Sequence, residues 1–165
     1  MILSSGIIVV RRAENRWLYL LLRAYKNWDF PKGEPRPGEA PLQTARREVR
    51  EETGLEDFTW PWGRIFRETE PYNNGRKQAR YYLAATDESK VVFSVNPKLG
   101  RPEHHEYRWV EYAELRELAS ARLGPVIDWL AEVVEGADMA EITPIGSDDF
   151  PPEGITPVAT PRLPW

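Results

Sequence analysis

Apolar residues along this chain recur in two rhythms. Short β-branched or aromatic runs at 5–10 (SGIIVV), 16–23 (RWLYLLLR), 62–68 (WGRIFRE), 79–86 (ARYYLAAT) and 106–110 (EYRWV) predict strands. The run at 91–95 (VVFSV) reads as a short strand or an extended loop. ENR forms a turn between the first two strands, and PYNNGRKQ (71–78) joins the next pair with a hairpin signal at Asn74-Gly75. Helical spacing appears at 41–53, 111–120 and 124–136. Pro41 suits the first turn of its helix, where a missing N–H costs nothing, and Gly54 stops it. Between residues 27 and 41 stand Pro31, Pro35, Pro37, Gly33 and Gly38, which exclude a regular helix or a central strand and predict a stiff loop. The order is strands, loop and helix, strands, helices. That order implies an α+β fold with helices packed on a mixed sheet, not the alternating units of a parallel doubly wound fold.

Composition narrows this picture. A chain of 165 residues with 41% apolar content holds one domain and a real core. The expected domain is 1–136. From 137 to 165 the character shifts: six of the 15 prolines fall after residue 143, which predicts a Pro-rich arm or tail rather than a second domain. A net charge of -4 argues against a stable nucleic-acid partner, which needs a basic face, but leaves room for a polyphosphate ligand on a local basic patch. Absence of cysteine removes disulfides and thiolate chemistry and fits a cytoplasmic setting. No apolar run approaches the roughly 20 residues that span a bilayer.

The chemistry concentrates in RREVREETGL (46–55). At about 100° per residue, Glu48, Glu51 and Glu52 share an arc of about 100°, beside Leu42, Ala45 and Val49 on the core-facing side. Arg46, Arg47 and Arg50 fall on the remaining face. Carboxylates three and four residues apart repel one another, and at the border of a core they are partly desolvated. A solvated, salt-bridged helix is the plain explanation. The preceding loop points elsewhere: Lys32 and Gly33 stand just ahead, and Glu39 opens the helix. Hard oxygen ligands fed by a stiff loop suit a divalent cation and a substrate phosphate.

Residues 33–55 resemble the Nudix box in full. Its Gly, five residues, Glu, seven residues, Arg-Glu-apolar-any-Glu-Glu-any-Gly-apolar are met by Gly33, Glu39, Arg47, Glu48, Val49, Glu51, Glu52, Gly54 and Leu55. The resemblance implies the Nudix fold, a mixed β-sheet sandwiched between α-helices, and metal-dependent hydrolysis of a nucleoside diphosphate linked to another moiety. It implies that Glu48, Glu51 and Glu52 hold Mg²⁺ (or Mn²⁺) with the Gly33 carbonyl, while Arg47 and Glu39 brace them. Ala40 departs from the Ser or Thr that caps this helix in many members. Pro41 and Gln43 are the available compensation.

Outside the box, SGIIVVRR, WDFPKGEPRPGE, YNNGRKQARYYLA and EHHEYRWV are similar to the asymmetric dinucleoside tetraphosphate hydrolases. That likeness implies that Lys32 contacts phosphate, that Tyr72 stacks on a base, that Lys77 and Tyr81 belong to the same substrate-binding segment, and that Glu103 binds metal or activates water. Arg76, Lys77 and Arg80 supply a positive patch that a tetraphosphate requires. Strand alternation leaves Tyr81 or Tyr82 facing the core, so a structural role for either stays open. His104 and His105 have no metal-ligand spacing with another histidine and read as surface or supporting residues. The expected reaction is water attack on phosphorus of a dinucleoside polyphosphate, with Glu52 or Glu103 taking the proton. Rivals are an RNA 5′-pyrophosphohydrolase, a diphosphoinositol polyphosphate hydrolase, and a regulatory module that binds a nucleotide without turnover. A homodimer through the C-terminal arm is the one protein partner the sequence suggests.

Overall fold

The computed structural model describes residues 1–136. The arm expected at 137–165, and the dimer contact through it, lie outside the described residues. Strand β1 (Ile2–Ala13) is the axis of the sheet. Its Ile2–Val10 half pairs in parallel with β6 (Lys77–Ala85), and its far end, Val10–Ala13, pairs antiparallel with β2 (Arg16–Ala24). Beyond Val10 the two antiparallel partners diverge. The fork between them holds β3 (Asn27–Asp29), paired with β2, and β4 (Lys32–Gly33), paired with β1 at Ser5 and Gly6. The expected stiff loop therefore carries two short strands, with Pro31 between them. Gly6 makes this docking possible, because a Cβ there would overlap the Pro31 carbonyl. Strands β5 (Phe66–Glu68) and β7 (Glu106–Val110) complete the sheet on β6 and β2.

Alternation along β1 divides the core. Ile7 and Val9 face helix α1 (Pro41–Thr53) with Leu42, Ala45, Val49 and Trp60; Ile8 and Val10 face the other layer with Leu115, Val126, Trp129 and Leu130. The second layer is α2 (Tyr112–Leu118), a 3₁₀ turn (Ala121–Leu123) and α3 (Gly124–Leu130), which widens into a π-type turn over Ala131–Glu135. Both faces of the sheet are covered, so Tyr81 and Tyr82 are both fully buried, one in each layer.

Helix α1 runs over the residues its punctuation predicts. Gly54 takes the left-handed conformation at φ 78°, and its N–H closes on the Arg50 carbonyl. At the start, Ala40 offers no acceptor, but its own N–H donates to Gln43 Oε1 at 2.8 Å, half of a capping box. One expected strand shrinks, and at 91–95 the extended loop is the alternative that holds. The strand at 62–68 begins only at Phe66, because Trp60–Gly63 closes a turn in which Gly63 donates to the Trp60 carbonyl. The run at 91–95 forms no strand; the Val92 N–H donates to the Thr53 carbonyl and ties this segment to the end of α1. No helix among the described residues is long and apolar enough to cross a membrane.

Candidate active site

A groove of about 860 Å³ opens where α1, β4 and the 93–104 segment meet. Its floor is the carboxylate face of α1. Glu48 packs directly on the Gly33 α-carbon, where any Cβ would overlap the carboxylate. The box spacing thus has a steric cause: glycine at 33 lets the chain pass against the helix.

Arg47 organises the carboxylates. Its Nε donates to Glu39 Oε2 at 2.7 Å and its Nη2 to Glu39 Oε1 and the Glu34 carbonyl, both at 2.9 Å. Its Nη1 donates to Glu48 Oε1 at 2.8 Å and Glu51 Oε2 at 3.1 Å. The side chain is only 9% exposed. The helical wheel set Arg47 away from the core; the 34–40 loop folds over that face and encloses it. Glu39 also accepts from the Arg36 N–H and the Thr44 hydroxyl. These bonds, the Arg47 fork above all, hold its carboxyl down to about 2. Arg36 gives Glu51 a second guanidinium at 3.0 Å. Much of the repulsion expected within the helix is therefore offset from inside the protein.

Glu52 is the exception. Its side chain is 7% exposed, and Oε2 is buried with no hydrogen-bond partner. Burial, then the charges of Glu103 and Glu48, raise its pKa well above the usual carboxylate range, with Lys32 pulling weakly the other way. Across from it stands His104, with Nδ1 3.4 Å from Glu52 Oε1. Burial pushes His104 down to about 4, so the imidazole is neutral at ordinary pH. Ligand atoms of Glu52, Glu103 and His104 all lie within 4.8 Å of one another. His105, its neighbour, is exposed and turned away, with Nε2 accepting the Tyr25 N–H.

The other expected site residues divide. Lys32 and Lys77 line the groove, Lys77 3.3 Å from Glu34 and Lys32 3.7 Å from Asp29. Arg76 is exposed in the turn, bonded to the Asn73 carbonyl. Arg80 is held by Glu68 at 2.8 Å and stacks on Phe66, outside the groove lining. Tyr72 packs half-buried against the α3 layer, with the Arg122 guanidinium 4.6 Å from its ring centre. Tyr81, expected in the substrate-binding segment, requires a correction: it is wholly enclosed in the core and cannot touch a substrate. Its hydroxyl donates to Asp29 Oδ1 at 2.8 Å, and Asp29 also binds Arg122 at 2.7 Å. Tyr81 thus reaches the groove only through the carboxylate beside Lys32. The aromatic side chain that does line the groove is Phe93. The sequence reading gave it no role, although VVFSV is an apolar run in a polar stretch.

The sequence and the layered fold match known proteins. The NUDIX domain model matches residues 2–130. The bis(5′-nucleosyl)-tetraphosphatase [asymmetrical] of Mus musculus is 35% identical over 127 residues, covering 70% of this chain and 83% of the mouse protein. The RNA pyrophosphohydrolase of Francisella philomiragia is 31% identical over 123 residues, covering 66% of this chain and 77% of that protein. A crystal structure of a C. elegans Ap4A hydrolase binary complex superposes with a TM-score of 0.68 at 25% identity, covering 83% of this chain and all of that one. The chain belongs to the Nudix family and is a hydrolase of that family.

Proposed function

We propose that this chain hydrolyses a phosphoanhydride bond in a dinucleoside polyphosphate of the diadenosine tetraphosphate type. The observation that carries the reading is one groove holding Glu48, Glu51, Glu52 and Glu103 together with Lys32 and Lys77. The carboxylates suit a cation and the lysines suit a phosphate chain, and the mouse relative is a bis(5′-nucleosyl)-tetraphosphatase.

The residues fit a divalent metal. Glu52 Oε2 is a buried acceptor without a donor, and Glu48 lies against Gly33. Glu48, Glu51 and Glu52, with the Gly33 carbonyl, would hold Mg²⁺ or Mn²⁺. Such an ion supplies charge neutralisation at phosphate oxygens and a lower pKa for bound water. The protein's own groups do the rest. Arg47 and Glu39 keep the carboxylates oriented. Lys32 and Lys77 bind phosphate oxygens and offset the charge on the departing group. Water oxygen bonds to phosphorus, the bridging P–O bond breaks, and the water proton passes to Glu52 or Glu103. The leaving nucleotide carries the electron pair away. Arg76 and Arg80, already bonded to Asn73 and Glu68, contribute long-range charge in this reading, and Tyr72 stacks on a base. The catalytic unit is 1–136, and a cytoplasmic setting belongs to the same proposal.

A second reading, removal of pyrophosphate from 5′-triphosphate RNA, is favoured by the Francisella relative. A panel separates them. The protein is incubated with Mg²⁺ and dinucleoside polyphosphates, triphosphate RNA, nucleotide sugars or diphosphoinositol phosphates, in ¹⁸O-water. The reading expects fastest turnover on the dinucleoside tetraphosphate, with label in one product phosphate. Faster turnover of triphosphate RNA overturns it in favour of the second reading.

A further inference from the structure

The pairing of Glu52 with His104 is not an ordinary hydrogen bond. Charge-assisted N–H···O contacts lie at about 2.7–2.9 Å, whereas Nδ1 and Oε1 stand 3.4 Å apart. Nor does a donor complete Glu52: Oε2 is buried without one, and Glu48, which also meets this carboxyl, is itself a carboxylate. The separation has a different natural cause. Two donors each about 2.1 Å from one ion lie about 3.0 Å apart at a right angle and about 3.4 Å apart at the tetrahedral angle. Glu103 brings a third donor within the same 4.8 Å cluster. The segment carrying the histidine is anchored rather than loose: the His105 N–H donates to the Arg23 carbonyl at 3.1 Å, and the His105 ring is engaged by Tyr25. Of the adjacent pair, one imidazole faces the carboxylates and the other faces out.

We propose that His104 is a direct nitrogen ligand, through Nδ1, of a divalent ion shared with Glu52 and Glu103. This rests on the metal-dependent reading above and adds a ligand of a different kind to it. An all-oxygen site suits Mg²⁺ and Mn²⁺, whereas imidazole favours borderline ions such as Co²⁺, Ni²⁺ and Zn²⁺, which bind nitrogen more strongly than Mn²⁺ does. The position formed by Glu52, Glu103 and His104 is therefore the one where the enzyme selects a transition metal. The oxygen face of Glu48 and Glu51 has no such preference.

The test uses the full chain loaded with Mn²⁺ and read by pulsed electron paramagnetic resonance. Wild type is expected to show coupling to a directly bound nitrogen, which changes with ¹⁵N-histidine labelling. His104→Gln should lose that coupling and His105→Gln should keep it. By calorimetric titration, His104→Gln should weaken Co²⁺ at least as much as the roughly 10–100-fold seen when a residue merely supporting a ligand is removed, with Mg²⁺ little changed. Bound Mn²⁺ without nitrogen coupling overturns the histidine ligand and leaves the carboxylate site standing. Equal loss of Co²⁺ and Mg²⁺ in His104→Gln overturns the selectivity. If no divalent ion binds the wild type, both this inference and the metal-dependent reading fall. Should His104→Gln not fold, the isotope shift in wild type decides alone.

Discussion

With divalent metal chelated away, Glu52→Gln should make the protein more stable, and with Mg²⁺ restored the variant should show little of the wild-type turnover. Glu52 is almost fully buried, one of its oxygens has no partner, and the charges of Glu103 and Glu48 lie close by. Its folded pKa therefore stands well above the value near 4.5 that it has when unfolded. Below that unfolded value both states hold the proton and the residue is neutral to stability. As pH rises above it the unfolded chain ionises freely while the folded chain resists, so stability falls up to the folded pKa. Glutamine has the shape of the protonated acid and does not titrate. The two proteins should thus melt together near pH 4 and separate as pH rises, with the variant on top.

The size of the gap follows from what the ionised form lacks. Leaving a buried polar group without its partner costs on the order of 1–3 kcal/mol, and more for a charge. For a chain of this size that is about 2–12 °C in Tm. Scanning calorimetry in chelator, run at several pH values between about 4 and 8, measures it. Saturating Mg²⁺ should reverse the order, because the ion stabilises the wild type by binding only its folded form. A Glu52→Gln variant that melts below wild type in chelator at the alkaline end, or a gap that ignores pH, would refute the reasoning. Such an outcome would mean that Glu52 is satisfied in the fold and holds no strain for a cation to relieve.

Two further outcomes follow from the contacts. Arg47→Ala removes five hydrogen bonds from a nearly buried guanidinium, taking from Glu48 its Arg47 donor and leaving Glu39 and Glu51 to the weaker hold of Arg36 and Thr44; it should cost about 3–5 kcal/mol, read as a lowered Tm, and Arg47→Lys should recover only part because it lacks the planar fork. Tyr81→Phe should lose about 1 kcal/mol with its bond to Asp29, and steady-state kinetics should leave kcat and KM close to wild type, where a base-stacking role would raise KM.

What could be read from the chain depended on whether its cause was local. Helix α1 begins at Pro41 and stops before Gly54 because proline and glycine act on their own backbone, so both ends were legible. The carboxylate arc followed from helical pitch alone. Arg47 shows where pitch fails: a wheel describes one helix in isolation, and burial of that face was decided by a loop folding back over it. Tyr81 was ambiguous for a similar reason. Alternation assigns residues to two faces but cannot say that both are covered, and here α1 covers one face while α2 and α3 cover the other. His104 and Phe93 were beyond local rules altogether. Spacing arguments for metal ligands assume that the donors share one element, as two residues on a helix turn do. Glu52 and His104 stand on different elements, brought together because Val92 docks on the end of α1 and β7 docks on β2, which closes the intervening segment over the helix. A lone histidine beside an acidic residue carries no signal until that closure is known. Once it is known, the neutral imidazole stands beside a carboxylate whose other oxygen has no partner, and the proposed cation would have the most to stabilise there.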